Sequence, residues 1–214
     1  AFLASGSVQE VMDLTAVSHL SAIKGSLPFV NFFDGFRTSH EIQKIDVLDY
    51  DDLAKLVDYD AIARFKARAM NPEHPYQKGT AQNPDIFFQA KEAVNGFYTV
   101  IPDIVESYMQ EIKKLTGREY HPFNYYGDPN AENVIIAMGS VCQAIEETVD
   151  FLNARGEKTG VVEVHLYRPF SEKYFFDVLP ASVKRIAVLD RCKEPGALGE
   201  PLFEDICAIF KDKA

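Results

Sequence analysis

Apolar residues recur at helical spacing in several stretches and form short runs in others, a pattern that predicts a mixed α/β chain. Residues 7–23 carry apolar side chains three to four positions apart, which predicts a helix that ends at Gly25. The apolar run at 27–34 predicts a buried strand that ends at Gly35. We expect no strand before this helix, so the helix and the strand form an incomplete piece of a larger sheet.

The middle of the chain is helical and irregular. Asp49 is a candidate N-cap for helical spacing that continues to Ala69. Three prolines punctuate a long loop at 71–84, and loops of that length are often functional or pack against another element. A long helix is predicted at 95–115, and Pro102 within it marks a point where the helix can begin.

The last part of the chain alternates strands with helices. Apolar runs at 134–138, 161–166 and 185–190 predict three strands. Ser140, with Gln143 three residues later, predicts a capping box on the helix after the first strand. The fold class is therefore α/β, a three-layer sandwich with a mainly parallel sheet, preceded by a helical segment and a partial α/β piece.

These patterns divide the chain into three parts. The partial α/β piece covers 1–45, the helical connecting segment covers 46–120, and the α/β sandwich covers 121–214. The first residue is Ala, and we interpret the chain as a piece cut from a longer one, with removal of an initiator Met as the alternative.

Charge and cysteine content exclude several classes of protein. The 22 basic and 32 acidic side chains give a net charge of −10, which argues against binding nucleic acid or an anionic membrane. No apolar run reaches the roughly 18 residues of a membrane span. Three cysteines without a paired motif argue against an iron–sulfur cluster or structural zinc in this chain and fit a reducing, cytoplasmic compartment.

Polar residues follow each predicted strand of the last part, where ligands bind in parallel α/β sheets. This edge is either an anion site or a docking face for another domain. Ser140 has the simpler interpretation of a helix cap, and Arg168 that of a structural salt bridge. The candidates are Gly139, Ser140, Arg168, Asp190, Arg191, Lys193 and Glu194.

The loop after the first predicted strand is dense in ionisable groups. Asp34, His40 and Glu41 could supply acid–base chemistry or a metal site. The alternative is that these residues belong to a loop that is closed by salt bridges and caps the next element.

Several segments resemble the pyruvate:ferredoxin (flavodoxin) oxidoreductase family across essentially the whole chain. The similarity covers the end of that family's amino-terminal domain and its second domain, which is similar to the carboxyl-terminal domain of transketolases. The matching segments are SVQEVM at 7–12, FFDGFRTSHEIQK at 32–44, MNPEHP at 70–75, GTAQNPD at 79–85, LYRPF at 166–170, LDR at 189–191 and KEPG at 193–196.

The resemblance implies that the full enzyme oxidatively decarboxylates pyruvate to acetyl-CoA. It implies thiamine diphosphate, Mg²⁺ and [4Fe–4S] clusters as cofactors, CoA as co-substrate, ferredoxin or flavodoxin as electron acceptor, and a homodimer. The loop after the first strand is expected to shape the active-site region, and Leu3 to match an apolar position that lines the pyruvate pocket. The substrate-pocket candidates are Leu3, Asp34, Arg37, Thr38, His40 and Glu41.

Three hypotheses follow. In the first, this chain is an inactive fragment of the oxidoreductase that buttresses its other domains, with no catalytic residue, metal or cofactor of its own. In the second, it is a non-catalytic interaction or scaffold domain of a multidomain protein. In the third, it is a free-standing enzyme that uses Asp34, His40 and Glu41.

Overall fold

The computed structural model describes residues 1–77, 79 and 81–211. Within this part, the first half of the chain carries two short strands and most of the helical segments: β1 (Phe2–Ser5), α1 (Val8–Gly25), β2 (Val30–Phe33), α2 (Tyr50–Leu56), α3 (Tyr59–Ala67), α4 (Pro84–Glu92), α5 (Asn95–Thr99) and α6 (Ile101–Thr116). The second half alternates strands and helices: β3 (Phe123–Gly127), β4 (Asn133–Ala137), α7 (Val141–Asn153), β5 (Thr159–Val164), β6 (Leu166–Arg168), α8 (Glu172–Val178), β7 (Arg185–Val188) and α9 (Pro201–Phe210).

The first sheet has the order β2-β1-β6, with β1 parallel to β2 and antiparallel to β6. The expectation that no strand precedes α1 was therefore wrong, because β1 is a four-residue strand with no turn signal before it. The expectation of a buried strand at 27–34 was also wrong. Among the described residues β2 pairs with β1 alone, and its Val30 and Phe33 side chains are about half exposed.

The core of this first lobe forms where α1 and α6 pack together beside β1. The apolar stripe predicted for the 95–115 helix is buried at Ile101, Val105, Tyr108 and Ile112. The predicted single helix is interrupted at Val100, and α6 begins beside Pro102, whose missing N–H costs nothing in a first helical turn.

Helices α2 and α3 pack on this lobe as two separate helices. The Asp49 carboxylate accepts hydrogen bonds from the N–H groups of Asp51 and Asp52, which confirms the predicted cap. Asp58 caps α3 in the same way, and this second cap explains why the helical spacing does not form one helix. Lys78 and Thr80, within the predicted long loop, lie outside the described residues, as do 212–214 at the end of the third part.

The second sheet has the order β3-β5-β4-β7 and forms the second lobe. Strands β5, β4 and β7 are parallel, and β3 joins antiparallel to β5. Apolar residues of α7 pack on one face, while those of α8 and α9 pack on the other. The predicted three-layer sandwich with a mainly parallel sheet is confirmed. Strand β3 was missed because its FNYYG sequence lacks an apolar run.

The chain crosses between the lobes directly after β5. The strand predicted at 161–166 ends at Val164, and Leu166–Arg168 forms β6 on the first sheet. Leu166 is fully buried in the first core, so the second half of the chain completes the first lobe. The two lobes therefore meet along β1, β6 and the ends of β4, β5 and β7.

Candidate functional site

The loop after β2 meets the second lobe at the ends of β4 and β7. Asp34 Oδ2 accepts a hydrogen bond of 2.6 Å from the backbone N–H of Ser140, and Asp34 Oδ1 forms an ion pair with Arg191. The Arg191 guanidinium also donates to Ser140 Oγ at 3.4 Å. We call these three residues the rim contact, because they join the lobes at the rim of a cleft.

The rim contact depends on the backbone at the start of α7. Gly139 has φ of +80°, and a Cβ atom there would lie 2.8 Å from Asp34 Oδ2. The predicted capping box was wrong, because the Ser140 side chain makes no capping hydrogen bond. The Asp34 carboxylate takes that place, at a helix N-terminus where free N–H groups and the helix dipole favour negative charge.

A cleft of about 690 Å³ opens beside the rim contact. Arg37 and Arg191 bring positive charge to its wall, and Glu41 and Glu147 bring negative charge. The cleft thus collects predicted candidates from two distant segments of the chain. Its lining residues are Phe36, Arg37, His40, Glu41, Ser140, Val141, Gln143, Ala144, Glu147 and Arg191.

The structure does not assemble Asp34, His40 and Glu41 into an acid–base group. Both Asp34 carboxylate oxygens are engaged by the rim contact. His40 Nδ1 lies 2.8 Å from Ser39 Oγ, and its ring stacks on Phe36. The geometry therefore favours the alternative, a loop closed by a salt bridge to the second lobe.

Two other pocket candidates from the first part are buried. Leu3 is fully buried in the first core and is not among the residues that line the cleft. Thr38 is also buried, and its Oγ1 finds no hydrogen-bond partner among the described residues.

The remaining strand-end candidates are held by internal partners. Arg168 pairs with Asp205 at 2.6 Å and lies over the Tyr167 ring, which favours its structural interpretation. It does not join the other strand ends as expected, because β6 belongs to the first sheet. Asp190 accepts from the N–H groups of Leu202 and Phe203 at the start of α9. The Lys193 ammonium and the Glu194 backbone N–H both donate to the Glu200 carboxylate.

A second contact between the lobes is buried and went unpredicted. His165 Nε2 lies 3.4 Å from Glu10 Oε2, at the start of α1, and 3.7 Å from Glu163 Oε2, on β5. The His165 side chain is only 2% exposed, and the two glutamates are 15% and 13% exposed. We call Glu10, Glu163 and His165 the buried triad.

Burial and mutual charge shift the pKa of each group in the triad. Burial raises the pKa of the Glu163 carboxyl to about 7, although the nearby imidazole opposes this. Burial alone lowers the pKa of His165, but the two carboxylates outweigh it and raise that pKa to about 9. Burial would raise the pKa of Glu10, but the nearby charge of His165 and the hydrogen bond from the Gly6 N–H prevail and hold that pKa below its ordinary value.

The sequence does hold one signal for the triad. The strand VVEVHL at 161–166 is apolar except for Glu163 and His165, which are two residues apart and share one face. Paired polar side chains within a buried strand require partners, because burying a lone charge is costly. The pairing was not predicted, because the sequence does not show which residues would face Glu163 and His165.

The described part of the chain contains no helix with the length and apolar character needed to cross a bilayer.

The fold and the cleft define a two-lobed α/β protein whose lobes meet at the ends of parallel strands. A family model described as "Pyruvate flavodoxin/ferredoxin oxidoreductase, thiamine diP-bdg" matches residues 1–110. A second, described as "Pyruvate:ferredoxin oxidoreductase core domain II", matches residues 131–214. The chain belongs to the pyruvate flavodoxin/ferredoxin oxidoreductase family, which confirms the resemblance seen in the sequence.

Curated relatives match nearly the whole chain. The pyruvate-flavodoxin oxidoreductase of Enterobacter agglomerans is 67% identical over 210 residues, which cover 98% of this chain and 18% of the relative. The pyruvate:ferredoxin oxidoreductase of Moorella thermoacetica is 61% identical over 212 residues, covering 99% of this chain and 18% of the relative. The chain thus spans about a fifth of the length of these relatives.

One solved structure shares the fold at low sequence identity. It is a 2-oxoglutarate:ferredoxin oxidoreductase from Magnetococcus marinus, with 2-oxoglutarate, coenzyme A and succinyl-CoA bound. The match has a TM-score of 0.51 and 15% identity, and covers 100% of this chain and 37% of that chain. At this identity the match supports the α/β fold alone.

Proposed function

We propose that this chain is a segment of a pyruvate:ferredoxin or pyruvate:flavodoxin oxidoreductase. In the parent enzyme, pyruvate is oxidatively decarboxylated to acetyl-CoA, and the electrons pass to ferredoxin or flavodoxin. The observation that carries this proposal is the 61–67% identity to enzymes with these names over nearly the whole chain, at only 18% of their length.

The cofactors are proposed to lie in other parts of the parent. A [4Fe–4S] cluster takes four cysteine ligands, whereas this chain has three cysteines in all. Cys142 is buried, Cys192 and Cys207 are exposed, and none of the three joins a cluster of ligating side chains in the described part of the chain. Thiamine diphosphate would supply the carbanion-stabilising chemistry, together with Mg²⁺, and CoA would accept the acetyl group. We propose a cytoplasmic homodimer as the working form.

Within that enzyme, this chain is proposed to hold the loop 34–41 in place and to form one wall of a cleft. The rim contact fixes the loop against the second lobe, and Arg37 and His40 then face the cleft. The division into 1–45, 46–120 and 121–214 stays part of this proposal, although the crossing of β6 onto the first sheet joins the first and last parts structurally.

The test is pyruvate- and CoA-dependent reduction of ferredoxin or flavodoxin by the parent enzyme. Arg37→Ala and His40→Ala are expected to lower kcat/KM for pyruvate at least tenfold if the cleft shapes the active-site region. Lys55→Ala, on the exposed face of α2, is the matched control and keeps the parent rate. A parent enzyme that does not oxidise pyruvate refutes the activity, and wild-type rates in both cleft variants refute the role of the cleft.

A second candidate function is that of a non-catalytic scaffold domain. The internal pairing of charged residues that follow β2 and β7 favours it. Asp34, Asp190 and Lys193 each use their charge on a partner within the chain. This candidate predicts that the cleft variants keep kcat/KM and lose only thermal stability. The same two substitutions therefore separate the candidates.

A further inference from the structure

The buried triad places three metal-ligating side chains around one point. Glu10 approaches from the start of α1, while Glu163 and His165 approach from the end of β5. One ligand atom from each of the three residues lies within 4.8 Å of the other two. The three residues thus bring together donors that are more than 150 positions apart in the sequence.

The distances within the triad are too long for good hydrogen bonds. His165 Nε2 makes no hydrogen bond within the described part of the chain, and lies 3.4 and 3.7 Å from the two carboxylate oxygens. Donors about 2.1 Å from a tetrahedral metal ion lie roughly 3.4 Å apart, which follows from zinc–ligand bond lengths. The contact between His165 Nε2 and Glu10 Oε2 therefore has the length of a coordination edge, and the contact with Glu163 Oε2 is 0.3 Å longer.

Another buried carboxylate in the first lobe shows what a closed hydrogen-bonded cluster looks like. Asp13 accepts from Arg118 Nε at 2.6 Å, from Arg118 Nη2 at 3.0 Å and from the Tyr120 hydroxyl at 2.8 Å. All three distances are those of direct hydrogen bonds. The triad keeps its polar atoms further apart than this, in an equally buried place.

The surroundings of the triad orient its donors as they are oriented in metal sites. His165 Nδ1 lies 3.0 Å from the carbonyl oxygen of His121, so Nδ1–H donates there and Nε2 is the ring nitrogen that faces the carboxylates. Glu10 is held by the Gly6 N–H at 2.6 Å and by the Ser7 hydroxyl at 3.2 Å. A Cβ atom on Gly6 would lie 2.8 Å from Glu163 Oε1, so glycine keeps this space open.

We propose that Glu10, Glu163 and His165 bind one divalent transition-metal ion of the zinc class, which pins the first lobe to the second. One imidazole and two carboxylates are a ligand set that suits such ions, and a fourth position is left for water or another donor. The ion takes the place of the proton that the imidazole and carboxylates otherwise share. The sequence predicted no metal in this chain, and metal binding by the triad does not depend on the proposed oxidoreductase activity.

The first test uses the unaltered chain of 214 residues, freed of metal with a chelator and then given Zn²⁺. We expect one zinc ion per chain to survive dialysis, by elemental analysis. The thermal midpoint is expected to rise by about 5–10 °C at a free concentration 100 times the dissociation constant. Mg²⁺ should give no such rise, because it avoids imidazole and keeps its waters. A chain that retains no zinc and shows no rise overturns the proposal without any variant.

Variants then identify the ligands. Glu163→Gln keeps the side-chain size, and we expect it to weaken zinc binding at least tenfold, as should His165→Gln. The matched control is Glu119→Gln, which alters the partly exposed pair of Glu119 and His121 and leaves the three side chains of the buried triad unchanged. The absorption of Co²⁺ in place of zinc gives an independent spectrum of the site. Equal zinc content and equal Co²⁺ spectra in wild type and His165→Gln would show that the ion binds elsewhere, on exposed cysteines or histidines, and would refute this site.

Discussion

The rim contact and the buried triad both join the two lobes, but they do so in opposite physical settings. At the rim, the Arg191 side chain is 51% exposed, and the Asp34 carboxylate receives both a backbone N–H and a guanidinium. In the triad, the imidazole is almost fully buried, and its Nε2 lies 3.4 and 3.7 Å from the two carboxylates and makes no hydrogen bond within the described residues. Water can replace a lost partner at the rim, whereas the triad has no such replacement.

This difference shows where the energy of the junction is concentrated. Exposed ion pairs contribute little, because solvent screens them and competes for their hydrogen bonds. A buried charge that loses its partner costs several kcal/mol, because the remaining charge stays in a medium of low polarity. We therefore expect the junction to depend more on the triad than on the rim, although the rim borders the cleft.

The largest effect is expected from His165→Ala in metal-free buffer. The substitution leaves the Glu10 and Glu163 carboxylates facing each other without the imidazole, and should lower the free energy of unfolding by about 3–5 kcal/mol. Urea denaturation followed by circular dichroism measures this loss. His121→Ala, at a more exposed histidine that also contacts two carboxylates, is the control and should cost much less. Equal losses in the two variants would contradict the comparison.

Gly139→Ala is expected to have an intermediate effect. The new Cβ must adopt a φ of +80° and would also displace the Asp34 carboxylate, which together cost about 2–4 kcal/mol. Gly156→Ala provides the control, since its φ is +88° and nothing lies within 4 Å of the added Cβ. The control should cost only about 1–2 kcal/mol. The difference between the two thermal or urea transitions isolates the contact with Asp34, and no difference would show that this contact is not tight.

The smallest effect is expected from Asp34→Asn. The amide oxygen can still accept from the Ser140 N–H, so only the charge interaction with Arg191 is lost, at about 1 kcal/mol or less. The loss of stability should be smaller in high salt, because salt screens the attraction between Asp34 and Arg191 in the wild-type chain. Asp52→Asn, in the exposed pair with Lys55, is the matched control and should change stability little. A loss as large as that of His165→Ala would reverse the order of the two contacts.

Sequence patterns predicted the parts of the fold that local physics determines. Helices α1, α6 and α7 each carry an apolar stripe over more than ten residues, and β4, β5 and β7 each contain an apolar run between turn residues. Strand β1 has only four residues, and β3 contains polar and aromatic side chains, so neither gave a strand signal. Strand β6 gave no signal of its crossing because its partner is β1, more than 160 positions away.

The candidate site could be predicted only in part, for a similar reason. Parallel strands place their ends at one edge, and this correctly brought Gly139, Ser140 and Arg191 together. That Asp34 would join them depended on the packing of the two lobes, which no local pattern encodes. Arg168 left the group because β6 belongs to the first sheet, where its guanidinium pairs with Asp205 on α9. The triad required Glu10 to meet a strand that lies 150 positions further along the chain.

The most direct measurement of whether this chain is one part of a larger catalyst is 2-oxoacid turnover by the isolated chain. The purified chain would be supplied with pyruvate, thiamine diphosphate, Mg²⁺, CoA and oxidised ferredoxin or flavodoxin, beside the parent enzyme under the same conditions. We expect reduction of the acceptor by the parent and none by the isolated chain, with no binding of thiamine diphosphate to that chain by calorimetry. Acetyl-CoA formation by the isolated chain would contradict the proposal.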